Sequence, residues 1–296
     1  MEKTDLISSQ TSNLKEFLRE LLETLPGKEL GENIVEFQKF LEDVELENVV
    51  AISENGEVLI DPVKLQSANL PEVVRKILNY LGGQMSTSLS NLFVMLFIDT
   101  YEEIKVGSKP AADIWLNQII RDYGGLLAAY DIVGKFAQEI ELPSIFSSLR
   151  PGFTYLLKDE GQNKGYEIIK DATRYGFNVV CISKLDPNKV KYRHGLKNMA
   201  FIWLTFVKTK AKAISPDRLG ELKVLISNIG SGSVVLIDCL KEIILINGFE
   251  RSLDFFRDVK DTCKKNRLVL LISVDPRNYP EEQLVALERE IERVKK

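Results

Sequence analysis

Ser233-Val234-Val235-Leu236-Ile237-Asp238 is an apolar run closed by a carboxylate. An uninterrupted run of this length predicts a strand covered on both faces, the pattern of a parallel sheet packed between helices. In phosphate-hydrolysing α/β proteins an acid at such a strand end sits beside magnesium. A glycine-rich loop ending Gly-Lys-Ser/Thr lies opposite it and follows the first strand of the domain. Here the first strand of that half, Phe153–Leu157, runs into Lys158-Asp159-Glu160-Gly161-Gln162-Asn163-Lys164-Gly165, and no G-x-x-x-x-G-K-[ST] occurs anywhere in the chain. The sequence therefore predicts a nucleotide-binding type of scaffold without its phosphate cradle.

The same pattern repeats on both sides of this strand. Asn178–Ser183, Ala200–Thr205 and Arg267–Val274 are further apolar strands. Helices are expected over about Tyr166–Tyr175, after Ser215-Pro216-Asp217, around Gly248–Lys265 and from Pro280 onward. Alternation of this kind implies an α/β fold, a mostly parallel five-stranded sheet with helices on both faces. Leu149-Arg150-Pro151-Gly152 marks the expected boundary, giving domains 1–150 and 151–296.

The first half reads as an α+β domain. Ser12 is placed to cap a helix carrying Leu14, Phe17, Leu18, Leu21 and Leu22, after a loosely ordered start. A second amphipathic helix follows with Ile34, Phe37, Phe40 and Leu41. Val49–Ser53 and Glu57–Ile60 flank Asn55-Gly56, a strong hairpin signal. Pro71 opens another helix, and Leu92–Ile98 is expected to be a buried strand. From Ala112 to Glu141 a long helix is predicted, with Leu116, Ile119, Tyr123, Leu126, Tyr130 and Val133 at heptad spacing. That seam could pair two subunits, although Ile120 and Leu127 widen it toward an ordinary core-facing stripe.

With 45% apolar and 28% charged residues, 296 residues suffice for two separate cores. No apolar run is long enough to span a bilayer, and the start lacks a secretion signal, so a cytoplasmic protein is expected. Cys181, Cys239 and Cys263 form no C-x-x-C pair and His194 is the only histidine, so a histidine/cysteine metal site is not expected. With one histidine in a lysine-rich stretch, Ser/His or Cys/His nucleophilic catalysis is not expected, and no catalytic residue is assigned.

Charge is distributed unevenly. Residues 1–150 hold 13 Lys+Arg against 24 Asp+Glu, and residues 151–296 hold 26 against 19. Such a split suits halves that attract one another, a basic half that meets a polyanion, or two domains solvated independently.

The loops at the C-terminal ends of parallel strands form the usual ligand edge. Ser183, Asp186, Asp238 and Asp275 fall there as candidate ligand-edge residues. Lys189, Lys191, Arg193 and Lys197 follow the second strand, and Lys208, Lys210 and Lys212 the third, a rim able to meet phosphates or an acidic surface. Asp238 could hold magnesium with a bound phosphate, or satisfy loop amides instead. No cofactor is predicted, and ATP with magnesium is the alternative.

Residues 151–292 resemble an archaeal family, the domain of unknown function number 835. The blocks that carry the resemblance are Gly152–Leu156, Cys181–Pro187, Phe201–Thr205, Ser215–Leu219, Val234–Asp238, Ile246–Glu250 and Val274–Pro276. Cys239 departs from it, standing where the family favours glycine. The resemblance implies a RecA-like domain without an intact phosphate loop, related to sensory domains of signalling proteins and with no established enzymatic activity. The first half loosely resembles a roadblock-type dimerisation domain. The resulting expectation is a non-catalytic regulatory protein that self-associates through its N-terminal half and binds a ligand or protein partner. A divergent ATPase using Asp238 and a nucleic-acid binder using the 189–212 loops are the alternatives.

Overall fold

The computed structural model describes residues 3–25, 30–53, 55–81, 87–130, 132–135, 145, 149–161, 163–196, 199–207, 209 and 212–293. The chain divides into two compact units, Met1–Ile119 and Ile120–Lys296.

The first unit is mainly helical. Helices α1 (Lys3–Thr24) and α2 (Leu30–Asp43) precede the hairpin β1 (Val50–Ile52) and β2 (Val58–Ile60). The strands pair antiparallel, Ile52 opposite Val58, and Gly56 at φ +78° supplies the positive dihedral its turn requires. Asp61 caps α3 (Pro62–Ser67) through the Val63 and Lys64 amides. Then follow α4 (Leu70–Leu81), α5 (Thr87–Gly107) and α6 (Lys109–Ala129).

Three expectations for this unit are corrected. Helix α1 begins at Lys3, so Ser12 lies inside it and caps nothing. Leu92–Ile98 lies within helix α5. A short continuous apolar run has the same composition in a strand and in a buried helix. Here Phe93, Leu96 and Phe97 are fully buried, and Phe17 of α1 meets Phe93 with ring centroids 5.8 Å apart. That strand was one element of the roadblock-type likeness, beside the hairpin and the Pro71 helix, and among the described residues this unit contains only the β1–β2 sheet. The long helix, finally, stops at Ala129, and Ile132–Lys135 forms a separate turn, α7. Ala137 and Ile140, its expected last heptad positions, lie outside the described residues.

The second unit is built on strands β3 (Thr154–Lys158), β4 (Val179–Ser183), β5 (Ala200–Leu204), β6 (Ala213–Ile214), β7 (Val234–Ile237), β8 (Val269–Val274) and β9 (Glu292–Arg293). They form one sheet in the order β6-β5-β4-β7-β8-β3-β9, with every neighbouring pair parallel. The five expected strands are its centre, and two-residue strands extend it at each edge. Its helices are α8 (Lys164–Arg174), α9 (Pro187–His194), α10 (Leu219–Ser227), α11 (Leu240–Asn247), α12 (Phe249–Lys265) and α13 (Glu281–Glu290). The basic stretch 187–194 is thus a helix, not the loop expected. Pro187 at its first turn, Asp186 as its cap and Gly195 at φ +63° behind it are the sequence signals for both ends.

Alternate residues of each strand enter opposite cores. Leu236 and Leu271 pack with Tyr166, Ile169 and Ala172 of α8 and Val190 of α9. Val235, Ile237, Leu270 and Ile272 pack on the other face with α10, α11, α12 and Leu287 of α13. All four residues of β7 are fully buried, as its unbroken apolar run requires. Residues from 120 onward cluster with this unit. Gly176, at φ +68°, lets the turn after α8 approach α6, where a Cβ would stand 2.4 Å from the Asp122 carbonyl oxygen. Among the described residues, no helix is long and apolar enough to cross a membrane.

Candidate functional site

Strand order and helix placement decide where this sheet can open. Strands β3 and β4 leave toward the face of α8 and α9, whereas β5, β7 and β8 leave toward the opposite face. Adjacent strands whose chains depart to opposite faces leave a crevice at their C-terminal ends, the place where open α/β sheets bind ligands. Three neighbouring pairs meet this condition: β5/β4, β4/β7 and β8/β3.

Each of the three crevices is tied across by a hydrogen bond of the chain itself. At β4/β7 the Ser183 hydroxyl donates to the Asp238 carboxylate over 3.0 Å. At β5/β4 the Trp203 indole N–H donates to the Lys184 carbonyl over 2.9 Å. At β8/β3 the Arg277 guanidinium donates to the Glu160 carbonyl over 2.5 Å, while also holding Asp275 at 2.7 Å.

The β4/β7 crevice is the most elaborate. Helix α8 crosses from β3 toward β4 and lies over the centre of the sheet, which carries Tyr166 to the end of β7. The Tyr166 hydroxyl donates to Asp238 Oδ2, the oxygen that also receives Ser183. Asp238 is 5% exposed. Burial pushes its carboxyl up to about 6, with the hydrogen bonds from Tyr166 and Ser183 acting in the opposite direction. Burial also raises the Tyr166 hydroxyl, and the neighbouring Asp238 charge adds to the rise. The His194 ring stacks on that of Tyr166 at 4.0 Å. Burial and then the Arg193 charge lower the imidazole, against the pull of Glu167. Over the crevice, Lys184 and Glu242 form an ion pair at 2.5 Å.

At the β8/β3 crevice the loop that would cradle a phosphate holds an acid of its own. Asp159 follows β3 directly and is 2% exposed. Its two carboxylate oxygens accept from the Gly161 and Gly165 amides, each at 3.3 Å. Gly165 is the second residue of α8, so this carboxylate occupies a backbone donor at a helix N-terminus and another in the loop before it, donors of the kind a bound phosphate uses in glycine-loop proteins.

Residues 158–291 match the family model for a protein of unknown function, DUF835. The DUF835 match begins at the last residue of β3 and ends behind α13, so all three crevices fall inside it. Among curated proteins, none matches the chain.

Of the expected ligand-edge residues within the DUF835 region, only Ser183 and Asp238 are brought into contact with one another. Asp186 is engaged as the cap of α9, accepting from the Asn188 amide at 2.8 Å and the Lys189 amide at 3.3 Å. Asp275 is bound by Arg277, whose hydrogen bond holds its carboxyl below the usual range. Lys189, Lys191 and Arg193 are exposed on α9, and Lys212 is exposed just before β6. Lys197, Lys208 and Lys210 lie outside the described residues. Of the heptad seam, Leu116, Ile119 and Val133 are buried within the chain, and Tyr123, Leu126 and Tyr130 are half-buried. Among the described residues, no group of three or more His, Cys, Asp or Glu is placed to share a metal ion.

Asp159, Tyr166 and Arg277 were missed by sequence reasoning. The strand-end rule that singles out Asp238 applies equally to Asp159. For Tyr166 there was no local signal, because its place over β7 follows from α8 crossing two strands.

Proposed function

We propose that the protein is a cytoplasmic regulatory protein, and that its α/β unit is a binding scaffold descended from a nucleotide-binding, RecA-like ancestor. The single observation that carries this reading is Asp159 seated on the Gly161 and Gly165 amides, a carboxylate in cis where a phosphate would need to enter. Asp238 supports it. A magnesium-binding carboxylate works ionised and open to water and phosphate oxygens. This one is buried, bonded to Tyr166 and Ser183, and has its ionisation disfavoured.

The test is turnover. Incubated with magnesium and ATP or GTP, the full-length protein is expected to release phosphate no faster than its Asp238→Asn variant. Turnover that depends on Asp238 would instead establish the divergent ATPase.

Self-association through the N-terminal unit belongs to the same proposal. Its support is apolar surface: Ile114 is 71% exposed and borders a groove of about 430 Å³ lined also by Pro71 and Trp115. Light scattering at high micromolar concentration is expected to show a dimer, and a strict monomer would count against this part.

A further inference from the structure

Helix α9 presents an unusual surface. Of its eight residues only Val190 is buried, and Asn188, Lys189, Lys191, Tyr192 and Arg193 face solvent. Tyr192 is 93% exposed, so its ring contributes almost nothing to the fold. Among the described residues no carboxylate pairs with Lys189, Arg193 or Lys212. Asp186, the nearest acid on the same segment, is engaged in capping the helix.

The sheet continues this face. Lys191 Nζ stands 5.2 Å from the ring centroid of Phe201 on β5, which fixes α9 over that strand. Trp203, two residues on, points to the same side, with its indole N–H held by the Lys184 carbonyl and its backbone N–H by the Lys212 carbonyl. Phe201 and Trp203 are half-buried, and the loop leaving β5 carries Phe206 at 66% and Val207 at 62% exposure. His194, at the end of α9, is lowered first by burial and then by the Arg193 and Lys170 charges, against the pull of Glu167.

We propose that this face, formed by α9, β5 and residues 205–207 behind β5, binds single-stranded nucleic acid. The cations suit the phosphate backbone, and the exposed rings of Tyr192 and Phe206 offer faces on which unpaired bases stack. A duplex hides those bases, and α9 is too short to read a groove from within. An acidic protein partner would favour a contiguous apolar centre, whereas here the exposed ring of Tyr192 stands between Lys191 and Arg193 on the helix. Trp203 also ties the β5/β4 crevice, but the cations and exposed rings of this face are not the groups that close β4/β7 or β8/β3, so binding there does not depend on whether ATP binds.

Fluorescence anisotropy of the full-length protein tests it with three probes: labelled dodecathymidylate, the same strand in duplex, and polyglutamate. The single strand is expected to bind about 10-fold more tightly than either competitor. Raising salt from about 50 to about 200 mM is expected to weaken it about 20-fold, as for some three phosphate contacts on a single strand. Tyr192→Ala is expected to cost about 5-fold or more through lost stacking, and Lys191→Glu with Arg193→Glu to abolish the signal. These side chains are exposed, so unchanged thermal unfolding of the variants serves as the folding control. Absence of binding at low salt overturns the proposal. So does a Tyr192→Ala variant that binds like the parent, or polyglutamate that binds as tightly as the oligonucleotide, the latter marking a docking face for an acidic protein.

Discussion

Replacing Asp238 with Asn is expected to stabilise the protein at pH 7.5 by about 2 kcal/mol, with the gain closing as the pH falls to about 4. The wild-type carboxyl sits in the fold at about 6, raised from 3.8 by burial. A pKa raised on folding gives stability that is complete below the unfolded value and lost as the pH rises through the folded one. The loss therefore falls between about pH 4 and pH 6, and a shift of this size corresponds to about 3 kcal/mol. Asparagine does not titrate, and its carbonyl can still accept from Tyr166 and Ser183. Its new amide donor loses about 1 kcal/mol where a partner is imperfect. Denaturant unfolding at both pH values measures the effect. A variant no more stable than wild type at pH 7.5, or one with an unchanged pH profile, would show that the fold does not raise the Asp238 carboxyl and leaves it well solvated.

Tyr166→Phe is expected to act in the opposite sense, destabilising by about 2 kcal/mol at pH 7.5. The change removes a donor from a buried carboxylate while leaving the ring in place over β7, and hydrogen bonds to charged groups contribute about 1.5–3 kcal/mol. The loss should shrink below about pH 5, where Asp238 carries its own proton. A double-mutant cycle with Asp238→Asn separates this bond from ring packing. A coupling of about 1 kcal/mol or more is expected, and additive effects would mean that the two side chains do not interact. Both substitutions probe the same crevice, and their opposite signs make the pair more decisive than either alone.

How much of this was legible in the sequence depends on the range of the interaction. The central strands were legible because a strand covered on both faces leaves no polar interruption, as in Val234–Ile237. Caps set by neighbours in sequence, Asp61 before α3 and Asp186 before α9, could be read as soon as a helix was suspected. The nature of α5 was not legible, because Leu92–Ile98 lacks the polar residues that would distinguish a period of 3.6 from one of 2. The heptad seam of α6 was visible, but its partner was not: the spacing that would suit a second subunit places Leu116 and Ile119 in this chain's own core. At the candidate site Asp238 was found from its strand end, whereas Tyr166 arrives from 72 residues away in sequence. Contacts of that kind follow from strand order, and strand order is not encoded in any one segment.

The closed strand ends make nucleotide binding the decisive question. Calorimetric titration of the full-length protein with ATP, with and without magnesium, addresses it directly. A flat titration in both conditions is predicted, since Asp159 already occupies the loop amides and Asp238 is bonded to Tyr166 and Ser183. Saturable heat that requires magnesium and disappears in Asp238→Asn would contradict the account and return the β4/β7 crevice to the status of an active site.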